Sequence, residues 1–369
     1  MEQTGLQPTR PETSFIKTFP CSGCGAKLSF SPGSKTLRCQ FCGTENAIPE
    51  TGEGVEELDF ATYLKALEGK ADTEEVETVS CLSCGAAQTL KDNLFASNCT
   101  FCNAPIVSKG YANRRIKPKL LVPFVIDTKR AQDEFRRWIR GRWLAPNDLK
   151  RYAQSDAGLN GMYLPFWTYD CNTWTEYQGE RGDDYYTDET YTENGQTRSR
   201  RVKHTRWTST SGTVQHFHDD VLVMASKTLS ASTFGSIGNW NLKGLVPYQP
   251  EFVSGFQAEA YQIDLKEGFP IAKVTIDAQV QQLIRRDIGG DQQRIHRADT
   301  RYSNVTFKHV LLPVWISAYR YRDKPYRFLI NGQSGEVSGE SPKSWIKITL
   351  LVIGILVVVF VVLTIGGKG

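Results

Sequence analysis

CSGCGA at residues 21–26 recurs as CLSCGA at residues 81–86, and a second Cys-x-x-Cys pair follows each copy, at residues 39–42 and 99–102. Each cysteine of the second set lies 60 residues after its counterpart, and 14 residues separate the two pairs within a set. Two-residue spacing lets both thiolates of a pair reach one ion at about 2.3 Å, and two facing pairs complete a tetrahedral site. The pattern predicts two tandem zinc ribbons.

All the predicted metal ligands are cysteines, and each ribbon is expected to hold one structural Zn²⁺ ion. Glycines or an asparagine follow the pairs where the chain needs a positive φ. Ribbons of this size cannot fold on apolar burial alone, so zinc is expected to supply much of their folding free energy. The ligands are Cys21, Cys24, Cys39 and Cys42 in the first ribbon and Cys81, Cys84, Cys99 and Cys102 in the second; the residues needing positive φ are Gly25, Gly43, Gly85 and Asn103.

A disulfide framework is the alternative use of eight cysteines, and it requires an oxidising compartment. The first seven residues, MEQTGLQ, lack the charged and apolar regions of a signal peptide, which favours reduced thiols. The ninth cysteine, Cys171, has no partner in the pattern and is expected to be an ordinary half-buried thiol.

A second decisive segment is residues 348–367, twenty residues without a charge that are rich in Leu, Val and Ile. A helix of this length just spans a hydrocarbon core of about 30 Å. Lys343, Lys347 and Trp345 precede it, as expected for a cytoplasmic flank with an interfacial aromatic residue. We therefore expect a single-pass protein of the cytoplasmic membrane whose N-terminal bulk lies in the cytosol. A buried core helix is the alternative.

The rest of the chain predicts a multidomain protein: two small metal-stapled β modules, a duplicated α+β domain rich in antiparallel strands, and one C-terminal transmembrane helix. A net charge of +4 on 369 residues supplies no global reason to expect nucleic acid. The predicted boundaries are a flexible leader (1–17), ribbon one (18–50), an acidic linker with a short helix (51–78), ribbon two (79–108), half one (109–240), half two (241–340), a juxtamembrane linker (341–347) and the transmembrane helix (348–367).

The duplication rests on two repeated motifs in the central region. LVPF at residues 121–124 resembles LVPY at 245–248, and YLPFW at 163–167 resembles LLPVW at 311–315. A helical pattern separates the motifs in each half, at residues 128–140 and 276–286. In the linker, Phe60, Tyr63, Leu64 and Leu67 recur at helical spacing after Asp59, a candidate N-cap, which predicts a short helix between the ribbons.

Residues 183–207 predict a long hairpin around Asn194-Gly195, the strongest two-residue turn pattern. Such a turn places Glu189 opposite Arg200, Asp188 opposite Arg201 and Asp183 opposite Arg206. The basic run at residues 198–203 is therefore expected to be neutralised by its own partner strand rather than to bind nucleic acid.

Catalytic motifs are not evident, because the chain has no phosphate-binding loop, no G-x-S-x-G elbow and no H-E-x-x-H helix. The chain is therefore interpreted as a non-enzyme. His216 and His218 share one face of a predicted strand, next to Asp219 and Asp220, and two imidazoles without a third ligand make a weak metal site. A basic stretch, Arg136, Arg137, Arg140, Arg142, Lys150 and Arg151, flanks Trp138 and Trp143. It predicts a solvated helix face, or contact with lipid heads, nucleic acid or an acidic partner.

Both ribbons, GMYLPFWTYD at 161–170, YQGERG at 177–182 and NGQSGEV at 331–337 resemble a bacterial family of TFIIB-type double zinc-ribbon membrane proteins. Its members are often labelled primosomal protein N′ (replication factor Y) or superfamily II helicase-like, although this chain lacks the nucleotide-binding motifs of a helicase. Some members resemble membrane partners of SPFH-domain and phage-shock-protein-A-like proteins. The resemblance implies a role in envelope stress or membrane organisation.

The leading hypothesis is a tail-anchored adaptor whose cytosolic zinc ribbons recruit a protein partner to the lipid bilayer. The alternative is a membrane-tethered nucleic-acid-binding protein, related to replication or transcription, as the family label and the ribbons of transcription factors suggest. The acidic linker weighs against it, because its carboxylates repel phosphates.

Overall fold

The computed structural model describes residues 19–50, 52, 54–68, 73–81, 87–89, 96–99, 105–107, 111–149, 158–193, 196–228, 235, 237–238, 240–321 and 324–366. Several predicted features lie outside these residues: the leader 1–17, Cys84, Gly85, Cys102, Asn103, Lys150, Arg151 and the turn Asn194-Gly195.

The helices are α1 (Phe60–Glu68), α2 (Thr128–Gly141), α3 (Pro250–Val253), α4 (Leu265–Ile288) and α5 (Trp345–Gly366), with a short 3-10 helix at Leu242–Gly244. The strands are β1 (Leu28–Phe30), β2 (Thr36–Cys39), β3 (Glu45–Ala47), β4 (Leu58–Asp59), β5 (Thr73–Ser80), β6 (Ala87–Thr89), β7 (Ala96–Asn98), β8 (Pro105–Val107), β9 (Tyr111–Ile116), β10 (Leu120–Leu121), β11 (Asn160–Glu193), β12 (Gln196–Met224), β13 (Val246–Pro247), β14 (Gln257–Ala258), β15 (Gln292–Tyr321), β16 (Lys324–Asn331) and β17 (Val337–Gly339).

Three long strands, β12, β11 and β15, lie side by side and antiparallel in a nine-stranded sheet, with β12 at one end of the strand order. Short strands from elsewhere in the chain pair with β11 and β15, and one of them, β4 from the predicted acidic linker, pairs with β15 at Thr306 and Phe307. The linker is therefore built into the large sheet. At this level the structure confirms the expected class: a sheet-rich, mostly antiparallel, multidomain chain with a cysteine cluster near the N-terminus and a C-terminal apolar helix.

The two copies of each repeated motif pair with one another inside this sheet. Leu121 lies opposite Val246, and Leu164 lies opposite Leu312 in the antiparallel pair of β11 and β15. The residues of the second pair occupy equivalent positions in their motifs, so the motifs are related locally by a two-fold rotation. Strands from both predicted halves thus share one sheet; the duplication itself stays a prediction.

Each face of the sheet carries its own core, because successive side chains of a strand point to opposite faces. On one face, Tyr163, Leu311 and Trp315 pack in the cluster that includes β1 and β2 of the first cysteine module, residues 19–50. On the other face, Met162 and Leu312 pack in the cluster that includes Cys81 and Cys99 of the second cysteine module, the strands β5 to β8. The two cysteine modules therefore contact opposite faces of one sheet.

The predicted helices are present, with two differences. Helix α1 begins after Asp59, whose carboxylate accepts a hydrogen bond from the Thr62 N–H at 2.7 Å, as predicted. However, its Phe60 packs on Tyr169 and Phe307 of the large sheet instead of only bridging the ribbons. Helix α4 begins at Leu265, eleven residues before the predicted start.

Residues near the N-terminus of α4 explain why the helix begins earlier than the sequence predicts. Asp264 and Glu267 form a capping box there, while Gly268 and Pro270 disfavour a helix in the sequence pattern. Gly268 lies so close to the sheet that a Cβ atom would stand 2.3 Å from the hydroxyl of Tyr169. Packing against the sheet therefore overrides the low helix propensity of this turn.

The hairpin formed by β11 and β12 has the predicted register. Glu189 lies opposite Arg200, Asp188 opposite Arg201 and Asp183 opposite Arg206. The Arg200 guanidinium contacts the Glu189 carboxylate at 3.1 Å. The third strand, β15, accompanies β11 only as far as Gly182, so the remaining hairpin is a two-stranded arm.

Candidate metal centre

The first predicted ligand set is assembled in the structure. The Sγ atoms of Cys21 and Cys42 are 3.4 Å apart, and those of Cys24 and Cys39 are 3.5 Å apart. All four Sγ atoms lie within 4.8 Å of one another. A tetrahedron with metal–sulfur bonds of about 2.3 Å has sulfur–sulfur edges of about 3.8 Å. The four thiols can therefore hold one metal ion.

Two tight turns bring these thiols together. Gly25 donates a backbone hydrogen bond to the Cys21 carbonyl at 2.8 Å, and Gly43 donates one to the Cys39 carbonyl at 3.1 Å. Their φ angles are +74° and +76°, as predicted from the glycine positions. An L-residue with a Cβ atom would be strained in this region, so glycine lets each Cys-x-x-Cys pair fold back on the centre.

Electrostatics within the cluster favour a bound cation. Hydrogen bonds from the Thr44 side chain and backbone lower the pKa of the Cys42 thiol to about 6. The Ala26 N–H lowers the pKa of the Cys24 thiol, but the neighbouring Cys42 and Cys39 sulfurs outweigh it and raise this pKa to about 12. Four thiolates in such proximity repel one another, and a divalent ion removes the repulsion.

The second predicted ligand set is described in part. Cys81 and Cys99 are both buried and pack in the core cluster that covers one face of the large sheet. Cys84 and Cys102 lie outside the described residues, so the second set stays a prediction. Cys81 lies directly after β5 and Cys99 directly after β7, whereas in the first module Cys21 follows the bridge residue Pro20 and Cys39 is the last residue of β2.

The sequence predicts a half-buried thiol at Cys171, but in the structure its side chain is fully buried. Burial raises the pKa of its thiol to about 11. It faces α4 in the core formed with Tyr169 and Phe307. A thiol that is both buried and protonated at neutral pH is unreactive, consistent with a packing role.

His216 and His218 share one strand face, as predicted, and their ring centroids are 4.8 Å apart. The buried His218 uses both ring nitrogens: Nε2 lies 3.0 Å from the Thr173 hydroxyl and Nδ1 lies 2.7 Å from the Gln279 side-chain oxygen. Burial lowers the pKa of its imidazole. These bonds occupy the nitrogens that a metal would need, so the pair fits a structural role.

A second cluster, which the sequence interpretation missed, surrounds the buried Lys308. Its ammonium lies 2.7 Å from the Asp220 carboxylate, 3.3 Å from Asp170 and 3.0 Å from Glu57. Asp170, Asp219 and Asp220 are close enough to suggest a metal site, but the lysine already supplies the cation. No local spacing indicates this cluster, because the fold brings together residues that lie 50 to 251 positions apart in the chain.

The described part of the basic stretch, from Arg136 to Arg142, lies on the last turns of α2 and at its C-cap, whereas Lys150 and Arg151 lie outside the described residues. Ala131, Phe135 and Ile139 are buried, whereas Trp138 is half-buried, so the apolar side of α2 forms part of the core. Arg136 pairs with Asp133 and Arg137 pairs with Glu134 on the helix surface. Helix α5 is long and apolar enough to cross a membrane, and no residue of its span from Trp345 to Leu363 is buried.

Comparison with known proteins supplies one distant relative. The chain is similar to an uncharacterized protein, YdjG, of Bacillus subtilis (strain 168), with 24% identity over 352 residues. The alignment covers 92% of this chain and 94% of the relative, so the two correspond over nearly their whole lengths. No protein-family model and no solved structure matches the chain.

Proposed function

We propose that the chain is a non-enzymatic, membrane-anchored adaptor whose zinc-stapled cysteine modules recruit a protein partner to the bilayer. Zinc would be held in the first module by Cys21, Cys24, Cys39 and Cys42. The sequence repeat extends the proposal to a second ion at Cys81, Cys84, Cys99 and Cys102. Four sulfur ligands suit a closed structural site, in which the ion stabilises the fold and has no open position for a substrate.

The observation that carries the proposal is the exposure of Phe41. This phenylalanine lies between Cys39 and Cys42, and 83% of its surface is exposed. The opposite end of the same module is buried: Phe30 packs on Phe252 and Phe256, and its N–H donates to the Ser254 carbonyl. The module is therefore fixed to the large sheet at one end and presents an apolar aromatic side chain on its metal-binding end.

An exposed aromatic side chain on a rigid turn suits protein recognition. Aromatic residues are enriched among the anchors that dominate binding energies at interfaces. A turn that is already ordered by the metal loses little conformational entropy when a partner binds. Phe41 is thus our candidate for the central contact with the partner.

Helix α5 supplies the membrane anchor in this proposal. Lys343, Trp345 and Lys347 lie at its N-terminal end, a composition typical of the cytoplasmic side of a membrane-spanning helix. With the cysteine modules in the cytosol, the thiols stay reduced and available to zinc. The resemblance to the double zinc-ribbon family makes SPFH-domain and phage-shock-protein-A-like proteins the first partners to look for.

The charge distribution favours a protein partner over nucleic acid. In the first module, the Lys35 ammonium pairs with the Glu50 carboxylate at 3.0 Å. On the hairpin arm, Arg200, Arg201 and Arg206 face acidic residues of the opposite strand. Nucleic-acid binders present unpaired cations to the phosphate backbone. The ion pairs described here lower the number of cations available for such contacts.

Purification of the full-length chain from bacterial membranes in mild detergent, with and without nuclease, tests the proposal. A partner that survives nuclease should co-purify with the native chain. The Cys21→Ser/Cys24→Ser variant should lose it because the metal-dependent turn unfolds. Phe41→Ala should bind the identified partner about thirtyfold more weakly, as expected for a central aromatic anchor.

Phe217→Ala is the matched control, since Phe217 is an exposed phenylalanine on the long strand β12. It should retain the partner. Equal partner recovery from the native chain, Phe41→Ala and the cysteine variant would contradict the adaptor role of the first module. Stoichiometric nucleic acid, with protein partners lost on nuclease treatment, would support the nucleic-acid alternative.

A further inference from the structure

A recess of about 260 Å³ lies between the end of α2, the loop that follows it and the start of α5. Its lining includes three cationic side chains, Arg140, Arg142 and Lys347, together with Trp143 and Asn147. None of the described lining residues is a carboxylate. This basic recess is smaller than the ~300–1,000 Å³ of typical small-molecule pockets, so it suits a compact anionic group.

The basic recess is tied directly to the membrane helix. The Lys347 ammonium donates hydrogen bonds to the Trp143 carbonyl at 2.9 Å and to the Ala145 carbonyl at 2.7 Å. The Ser344 N–H donates to the Leu144 carbonyl at 2.8 Å. Lys347 immediately precedes the uncharged segment that begins at Ile348. If α5 spans a bilayer, the loop is therefore held at the level of the lipid head groups.

The positive charges of the basic recess are not neutralised by described carboxylates, so they are available to an anionic ligand. Lys347 is bonded to backbone carbonyls, which do not neutralise it, and Arg142 stacks over the Trp138 ring at 4.3 Å. Within the described part of the chain, neither Arg140 nor Arg142 forms an ion pair with a carboxylate. On the preceding turn of α2, by contrast, Arg136 and Arg137 are paired with acids.

Two exposed tryptophans flank the same loop and helix start. Trp143 is 61% exposed and Trp345 is 81% exposed, which is unusual for side chains of this size in water. Tryptophan is enriched at the membrane interface, where one end of the ring is apolar and the other contacts water. Exposed tryptophans beside unpaired cations match the composition of a surface that contacts lipid head groups.

We propose that the basic recess binds the phosphate of an anionic phospholipid, and so fixes the large sheet against the membrane surface. The inference rests on the membrane anchoring in the proposed function and deepens it by naming a lipid ligand. Arg140 and Arg142 would contact the phosphate oxygens, and Trp143 would lie at the depth of the glycerol backbone. Arginine suits this role because its planar guanidinium donates two parallel hydrogen bonds to a phosphate.

The test is native mass spectrometry of the full-length chain in detergent, titrated separately with phosphatidylglycerol and phosphatidylcholine. The native chain should bind the anionic lipid at least tenfold more tightly. Arg140→Gln/Arg142→Gln should lower affinity for phosphatidylglycerol roughly ten- to thirtyfold, since each surface cation contributes about fivefold. Arg140→Lys/Arg142→Lys, which keeps both charges but loses the paired guanidinium donors, should have an affinity between those of the native chain and the glutamine variant.

Arg136→Gln/Arg137→Gln is the matched control, because it removes the same charge from the same helix away from the basic recess. It should change the affinity less than threefold. Equal affinity for the two lipids, or an equal loss in this control, would overturn the proposal. Displacement of phosphatidylglycerol by millimolar inorganic phosphate would instead identify a site for the free anion.

Extraction of membranes with alkaline carbonate separates this inference from the proposed function. Arg140→Gln/Arg142→Gln should stay in the membrane pellet and keep the protein partner, because α5 and the first cysteine module are unchanged. A native chain released by carbonate would contradict the membrane anchor itself. A chain that stays in the pellet but shows no lipid preference would contradict only the lipid site.

Discussion

At the scale of single residues, the buried Lys308 ammonium is the cation at the centre of a cluster of carboxylates. It is 5% exposed and contacts three carboxylates: Glu57 from the linker, Asp170 on β11 and Asp220 on β12. The three acids come from separate parts of the chain. Lys308 therefore joins the linker between the cysteine modules to two neighbouring strands of the large sheet.

Replacing Lys308 with methionine should lower the free energy of unfolding by about 3–5 kcal/mol, because buried Asp170 would lose its partner charge. Urea unfolding of the full-length chain in mild detergent measures this difference. Lys203→Met is the control: Lys203 pairs with Asp184 at 2.6 Å but is half exposed, so its loss should cost less than about 1 kcal/mol. Similar losses in the two variants would contradict the role of Lys308.

The same variant should change the pH dependence of stability. Burial raises the pKa of the Asp170 carboxyl, and removal of the ammonium should raise it further. The folded variant then holds a proton that the unfolded chain releases above about pH 4. Stability of Lys308→Met should therefore fall more steeply from pH 5 to pH 8 than that of the native chain. If the stability of the native chain and that of the variant changed with pH in the same way, the negative charge of Asp170 would have to be neutralised by a group other than Lys308.

At the scale of elements, the long strands separate into a three-stranded part and a two-stranded arm. Up to Gly182, β11 has β12 on one side and β15 on the other. Beyond that residue, the arm consists of paired charges and exposed aromatic side chains such as Tyr186 and Tyr191. Within the described residues, the arm has no third strand and adds little to the buried core, so its contribution to stability should be small.

Shortening the arm tests this division. Replacing residues 186–203 with Asn-Gly joins Tyr185 and His204, which already lie opposite each other, through a two-residue turn of the preferred type. The melting temperature of the full-length chain should change by less than about 4 °C, the shift expected for about 1 kcal/mol in a domain of this size. A much larger fall would mean that the arm packs on another part of the protein.

At the scale of the whole molecule, one sheet organises the chain. The two cysteine modules contact its opposite faces, whereas α5 leaves the sheet and has no buried residue over its apolar span. The folded core therefore does not depend on α5 for apolar burial. Helix α5 is attached to the rest of the protein by hydrogen bonds from Ser344 and Lys347 to the loop after α2.

Truncation before Trp345 should therefore yield a soluble protein with nearly unchanged stability. The expected result is recovery in the supernatant after ultracentrifugation and a melting temperature within about 4 °C of the full-length chain in detergent. A truncated chain that aggregates, with the full-length chain stable, would show that α5 covers part of the core.

Features that depend on neighbours in the chain could be predicted from the sequence. The cysteine spacing placed Cys21, Cys24, Cys39 and Cys42 in one cluster, because short turns bring residues together without help from the rest of the fold. The dipeptide Asn194-Gly195 predicted the register of the hairpin, because a two-residue turn leaves a single way to align its strands, and the described strands pair in that register. The uncharged, apolar composition of residues 348–367 was enough to predict the helix α5.

Features that depend on distant segments could not be predicted in this way. The extra turns of α4, the burial of Cys171 and the cluster around Lys308 follow from pairing between strands far apart in the chain. The attachment of Lys347 to the loop after α2 joins residues 202 and 204 positions apart. Local spacing carries no information about such contacts, because they form only when the large sheet brings its segments together.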